Sequence, residues 1–368
     1  LKGSLLAATA ATVLPRFAFG QSGGKDTLKV GICGLGGRGV GAALDALMAD
    51  DDVKITALAD LFQVRIDRSC AKFEGDYFGE RKARFDVPKN RRYVGTDCLD
   101  QMLAHADIDV VLLCTPPVFR AEDMKKCLEA GKHVFAEKPL CVDPTAARFI
   151  EEEVIPLAEK KGLSMMGGNQ ARHDTMVIEA LDRLHDGQIG EIVNVKSIYY
   201  WHHYIEGPQL APELTPEQME FQIRRWIGFI WASGDQLVEQ HIHALDLALW
   251  AMGDISPLSA MGFGGRDPSL IFGQQGNRFS HAVVDYDFGK NRSLMSLAVG
   301  ENGGSGIIKW GADIYGTKGT LILRPGAEQE IVGEQPWKSD VVDESTQIKE
   351  QRALYRAIRE GRRIDAIP

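Results

Sequence analysis

Four residues in two distant segments of the chain have the side chains that proton and hydride chemistry needs. Lys138 lies in Glu137-Lys138-Pro139, directly after the short apolar run His133 to Ala136. A lysine at the carboxyl end of a parallel strand faces the crevice where open α/β sheets bind ligands. Downstream, Glu239, His243 and Asp246 sit at i, i+4 and i+7 of a segment that reads as one helix. That spacing sets two carboxylates and an imidazole on one face, a set suited to proton transfer. On this reading the carboxylates orient His243 and raise its pKa, and Lys138 stabilises an alkoxide.

A second set fits a dinucleotide. Gly34-Leu35-Gly36-Gly37-Arg38-Gly39 is a GxGxxG that follows the apolar run Leu28 to Cys33 and opens the helical segment Val40 to Met48. The glycines give a tight turn, close backbone approach to a pyrophosphate, and close packing of helix on strand. The helix N-terminus then offers N–H groups to the phosphates. Asp60 ends the next strand, Val53 to Ala59, where a carboxylate binds ribose hydroxyls and repels a 2′-phosphate. NAD is therefore the expected cofactor.

The elements that must position these residues alternate. Strands at 28–33, 53–59, 108–114, 133–136 and 163–166, separated by helical segments, call for a doubly wound parallel sheet. After about residue 170 the pattern changes to half-exposed strands. These are Glu191 to Tyr200, a hairpin of His281 to Phe288 and Ser293 to Val299, Ile307 to Tyr315, and Thr320 to Leu323. The fold class is thus α/β, with an N-terminal Rossmann domain over 27–168 and a C-terminal α+β domain with a largely antiparallel sheet over 169–368. Within the second domain, Tyr199 to Tyr204 is dense in aromatics and imidazoles that suit sugar faces and hydroxyls. Trp201, His202, His203 and Tyr204 are expected substrate contacts, as are Arg224 and Trp226.

Motifs in order resemble the Gfo/Idh/MocA oxidoreductases, the glucose–fructose oxidoreductase and inositol dehydrogenase group. They are the glycine loop, Asp60, Cys114-Thr115-Pro116-Pro117, Glu137-Lys138-Pro139, Gly167 to Arg172, the Glu239–Asp246 segment, and Tyr315 to Thr320. The resemblance runs from about Leu28 to Arg363. It implies Lys138 beside nicotinamide and substrate, a motif proline that is often cis, and Glu239 with His243 as the acid/base pair. With it, the expected cofactor contacts are Gly34, Gly36, Gly37, Arg38, Gly39, Asp60, Thr115, Pro116, Glu137 and Lys138. Asn169, Arg172 and Asp246 join the expected substrate contacts. The chain departs from the family pattern at Glu239 (commonly Asp), His241 (commonly Gly) and Arg120 (often His). It also ends at Pro368, short of a final helix many members have, which reads as truncation.

The implied function is an NAD-dependent dehydrogenase acting on the CH–OH of a carbohydrate. The alternative is an NAD-dependent glycosidase that uses transient oxidation and elimination. A third class, a non-catalytic sensor, is opposed by intact Lys138 and His243. His202, His203, His241 and His243 with the carboxylates could hold zinc or manganese, but the hydride acceptor needs no metal and none is expected.

Composition agrees with this class. The chain has 368 residues, 44% hydrophobic and 25% charged, with a formal net charge of −9, so a nucleic-acid partner is not expected. Residues 1–20 hold a moderately apolar run followed by Ala18-Phe19-Gly20, a signal-peptide pattern. Export to the periplasm by a twin-arginine-type route is the expectation, ahead of a cytoplasmic location. That route suits six cysteines without a CxxC pair. A homo-oligomer, dimer or tetramer, is expected, with no membrane association after processing.

Overall fold

The computed structural model describes residues 27–104, 107–202, 214–267, 276–301, 308–339 and 344–366. His203 and Tyr204 lie outside the described residues, as do residues 1–20.

The first half alternates as expected: β1 (Leu28–Cys33), α1 (Gly37–Ala49), β2 (Val53–Asp60), α2 (Gln63–Glu74), β3 (Arg92–Val94), α3 (Cys98–Leu103), β4 (Val110–Leu113), α4 (Pro117–Glu129), β5 (His133–Ala136), α5 (Pro144–Phe149), α6 (Ile155–Lys161) and β6 (Met165–Gly167). The second half contains α7 (Thr175–His185), β7 (Ile192–His202), α8 (Met219–Arg224), α9 (Ile230–Ser233), α10 (Asp235–Glu239), α11 (Ile242–Ala251), β8 (Ser259–Gly265), β9 (His281–Asp287), β10 (Ser293–Glu301), β11 (Lys309–Gly316), β12 (Gly319–Leu323), β13 (Glu330–Gly333), β14 (Trp337–Lys338), α12 (Thr346–Arg359) and β15 (Asp365–Ala366).

The first sheet is parallel throughout, in the order β15-β6-β5-β4-β1-β2-β3. Its central strand β4 shows why the run is unbroken in hydrophobicity. Val110 and Leu112 enter the core on one face, Val111 and Leu113 the core on the other, and all four are fully buried. Successive strand side chains point to opposite faces, so a strand covered on both sides needs apolar residues at every position. Each such side chain contributes about 1.5–3 kcal/mol relative to exposure.

The second sheet runs β14-β13-β12-β11-β7-β10-β9-β8, with β7 and β10 parallel and the other neighbours antiparallel. The largely antiparallel second domain is as expected. One boundary is not. The segment from α12 to β15, assigned by sequence to the second domain, returns to the first. Ile348, Leu354 and Tyr355 pack into the core formed by β1, α1 and β2, and β15 pairs with β6. Gln351 donates to the Ala42 carbonyl at 3.0 Å, and Arg359 pairs with Asp50 at 2.8 Å. Which core α12 covers depends on contacts some 300 residues apart in sequence.

Candidate active site and cofactor groove

The glycine loop leaves β1 at Gly34, whose φ of +92° only glycine adopts without strain. A Cβ on Gly39 would stand 2.0 Å from the Gly34 carbonyl oxygen, so this position admits no side chain while α1 stays packed. No side chain caps α1. Its first-turn N–H groups therefore suit an anionic ligand. Gly34, Gly36, Gly37, Arg38, Gly39, Asp60, Thr115 and Pro116 line one cavity of about 720 Å³. These residues fit a dinucleotide. Asp60 is buried and accepts from the Leu35 N–H at 2.7 Å and the Phe62 N–H at 2.9 Å. It thus braces the glycine loop. Burial pushes its carboxyl above the usual range, against these hydrogen bonds.

Glu137 and Lys138 follow β5. The Lys138–Pro139 peptide is cis, as the resemblance implies. Arg120, buried on α4, donates to the carbonyls of both Glu137 (2.7 Å) and Pro139 (2.6 Å) and so fixes the loop. Arg38 links this loop to the glycine loop through Glu137 Oε1 at 2.5 Å, and to Asp45 at 2.8 Å. Glu137 therefore anchors the loop through Arg38. Lys138 Nζ reaches across to the second domain, where it meets the Glu239 carbonyl and Glu239 Oε1, the latter at 3.0 Å.

The expected single helix is interrupted. Glu239 ends α10, His241 precedes α11, and the two helices meet at Gln240–His241. His241 is fully buried in the second domain, with Nε2 at 2.7 Å from Ser296 Oγ and 3.4 Å from Ser197 Oγ. That tertiary anchoring accompanies the break and changes the pairing. Among the described residues, neither Glu239 nor Asp246 hydrogen-bonds His243. Glu239 serves Lys138. Asp246 pairs with Arg172 at 2.8 Å, and Arg172 also holds Asp254 at 2.7 Å. Asn169 contributes a further hydrogen bond to the Asp246 carboxyl, which burial pushes upward.

His243 lies against aromatic rings, 5.6 Å from Trp310 and 6.3 Å from Tyr199, with Trp201 stacked 6.0 Å beyond Tyr199. Burial holds its pKa well below the ordinary value, and the Lys138 ammonium pushes it in the same direction. This corrects the sequence expectation of an upward shift, which assumed carboxylate neighbours. The imidazole is neutral across the physiological range.

Arg224 and Trp226, expected among substrate contacts, line the cofactor cavity. Trp226 also packs on the Phe221, Phe229 and Ala232 cluster. His202 ends β7, and its side chain falls outside the described residues. Sequence reasoning missed Phe62, Arg65 and Asp123 on the cavity wall. Asp123 stands nearly two turns into α4, behind Thr115, whose hydroxyl donates to it at 3.2 Å. Burial pushes its carboxyl up to about 6. A carboxylate nearly two helical turns after Thr-Pro-Pro was the available signal.

A groove of this kind suits a dinucleotide, and comparison with known proteins agrees. Residues 28–168 match the family model of the GFO_IDH_MocA oxidoreductase family, NAD-binding Rossmann fold. Over those residues the chain has that family's NAD-binding Rossmann fold. It is 30% identical over 165 residues to a dTDP-3,4-didehydro-2,6-dideoxy-α-D-glucose 3-reductase of Actinomadura kijaniata, covering 45% of this chain and 43% of that one. It is 29% identical over 180 residues to a glycosyl hydrolase family 109 protein of a Shewanella species, covering 47% of this chain and 35% of that one. The matches thus span less than half of these relatives. A solved levoglucosan dehydrogenase with NADH and levoglucosan shares the fold over 92% of this chain and 91% of its own, with a TM-score of 0.70 at 18% identity.

Proposed function

We propose that this oxidoreductase moves hydride between a hydroxyl-bearing carbon of a sugar or sugar derivative and nicotinamide, with NAD(H) the preferred nucleotide. The observation that carries the reading is that Lys138, Glu239 and His243 come together from two domains, beside the Glu137 loop that Arg38 ties to the glycine loop. Nicotinamide, when bound, supplies the hydride acceptor. An imidazole nitrogen of His243 takes the hydroxyl proton, its neutral form favoured by burial and by Lys138. Lys138 spends two N–H donors on Glu239 and keeps the third for the developing alkoxide. Glu239 is then the residue that aims Lys138. The Arg172–Asp246 pair and Asn169, with Trp201 and Trp310, present polar and aromatic surface to a sugar.

A carbohydrate panel tests the reading, scored for both cofactor absorbance and released sugar. Net NADH formation supports the dehydrogenase. Sugar release without net NADH supports the second reading, a redox-assisted glycosidase, which the family 109 relatives favour. Neither signal from any sugar would sink both.

Two further parts of the proposal concern context. Residues 1–20 read as an export signal, which fractionation of the tagged full chain would check. A second copy of the chain would cover the outer face of the second sheet. There Met261 (78% exposed) and Phe263 (74%) are in register, through Asp285 and Val283, with Met295 and Leu297. Exposed apolar surface of this kind marks an interaction face. A Phe263→Asp variant should shift the oligomer to monomer in light scattering.

A further inference from the structure

Around Asp60 the groove carries two cations, Arg65 and Arg224. Asp60 closes β2, with each carboxylate oxygen already accepting a backbone N–H. Arg65 stands in the first turn of α2, and a Cβ on Gly36 would come within 2.9 Å of its Nη1, so the guanidinium lies over the glycine loop. Arg224 comes from the second domain. Its guanidinium carbon is 3.8 Å from the centre of the Phe62 ring, and that of Arg65 is 5.9 Å from the same centre. Both guanidiniums act on Asp60 and oppose the upward push of burial. Arg224 is paired with Glu220 at 2.7 Å, but that carboxylate is about half exposed. Arg65 has no carboxylate within ion-pair distance among the described residues.

An acid at this position accepts from a ribose 2′-hydroxyl and repels a 2′-phosphate, whereas a neighbouring arginine accommodates the phosphate. Guanidinium groups bind phosphate through several directed N–H donors at once. Here one braced carboxylate stands beside two guanidiniums that line the same cavity. We propose that Arg65 and Arg224 form a seat for a 2′-phosphate, so that the groove takes NADP(H) as well as NAD(H). The second domain supplies half of that seat. The proposal rests on the nicotinamide-nucleotide reading above and deepens it.

The test is a pair of fluorescence titrations, NADH and NADPH, on the full chain and on its Arg65→Ala and Arg224→Ala variants. The readout is the ratio of the two Kd values, because a loss common to both nucleotides, such as that of the Phe62 contact, cancels. In the wild type NADPH should bind within about tenfold of NADH, the arginines offsetting the repulsion by Asp60. Each variant should raise the ratio about tenfold, the worth of one charge-assisted contact. Binding of 2′,5′-ADP should weaken in the variants while that of 5′-ADP holds. An unchanged ratio in both variants overturns the seat. So does a wild type that takes NADH but binds NADPH more than about a hundredfold more weakly, since Asp60 would then dominate; the nucleotide reading would stand. Binding of neither nucleotide overturns both.

Discussion

Replacing Lys138 with Met removes the ammonium that Glu239 faces and leaves the packing nearly unchanged. Glu239 is 7% exposed, and its Oε2 already lacks a hydrogen-bond partner. Two outcomes compete. A carboxylate that stays charged without its partner costs about 3–5 kcal/mol. A carboxylate that takes a proton costs about 1.4 kcal/mol per pH unit above the ordinary glutamate range of about 4.3, hence about 4 kcal/mol at pH 7. The cheaper route sets the loss, and Arg278, whose charge also bears on Glu239, lowers it. The expected destabilisation is therefore about 2–4 kcal/mol at pH 7, falling to about 1 kcal/mol at pH 5, where protonation is easy. The sign follows from linkage: the folded variant holds a proton that the unfolded chain releases, so its stability falls as pH rises. Lys138→Met/Glu239→Gln should recover most of the loss and be nearly independent of pH. Urea unfolding at pH 5, 6 and 7 on the three proteins measures this without reference to activity. A loss equal at pH 5 and pH 7, or a double variant weaker than the single, would refute a buried Lys138–Glu239 pair.

The His243 imidazole gives a second prediction. With its pKa held down by burial and then by Lys138, the rate of oxidation should be flat from pH 6.5 upward, with its rising limb below 6.5; a limb at or above 6.5 contradicts the geometry. His243→Ala should lower kcat about a hundredfold while nucleotide Kd holds, and loss of nucleotide binding would count against the assigned role. Asp123, pushed up to about 6 from 3.8 by burial, favours the fold below pH 3.8 and loses that advantage as pH rises through 6. Asp123→Asn should thus stabilise the nucleotide-free protein at pH 7 by up to about 3 kcal/mol and have little effect at pH 3.5, as read by thermal unfolding. Gly39→Ala places a Cβ 2.0 Å from the Gly34 oxygen, so nucleotide titration should show binding weakened at least about tenfold; near-normal affinity would mean that α1 need not pack so closely.

Local pattern was enough wherever the information was local. The doubly covered strands wrote themselves as unbroken apolar runs, and the half-exposed strands as alternation. The Gly34–Gly39 loop was legible because a tight turn and a close helix approach exclude side chains at fixed spacing. Lys138 was legible because it follows a strand whose carboxyl end must open on the crevice. The two-residue strand β15 carries no period, and the amphipathic α12 does not state which core it covers.

What the sequence determined by itself was thus the two-domain α/β plan, the nucleotide loop, and the residue types available for proton transfer. The tertiary structure decided who faces whom. The spacing of Glu239, His243 and Asp246 implied one helical face. The chain instead breaks at Gln240–His241, where His241 is fixed to Ser296 from 55 residues away. Glu239 then meets Lys138, 101 residues distant, and Asp246 meets Arg172, 74 residues distant. Arg224 moves from the expected sugar pocket to the Phe62 ring. Helical periodicity fixes neighbours within a turn. Partners brought together by domain packing depend on the whole core, and burial in that core, with the Lys138 ammonium second, holds the His243 pKa down.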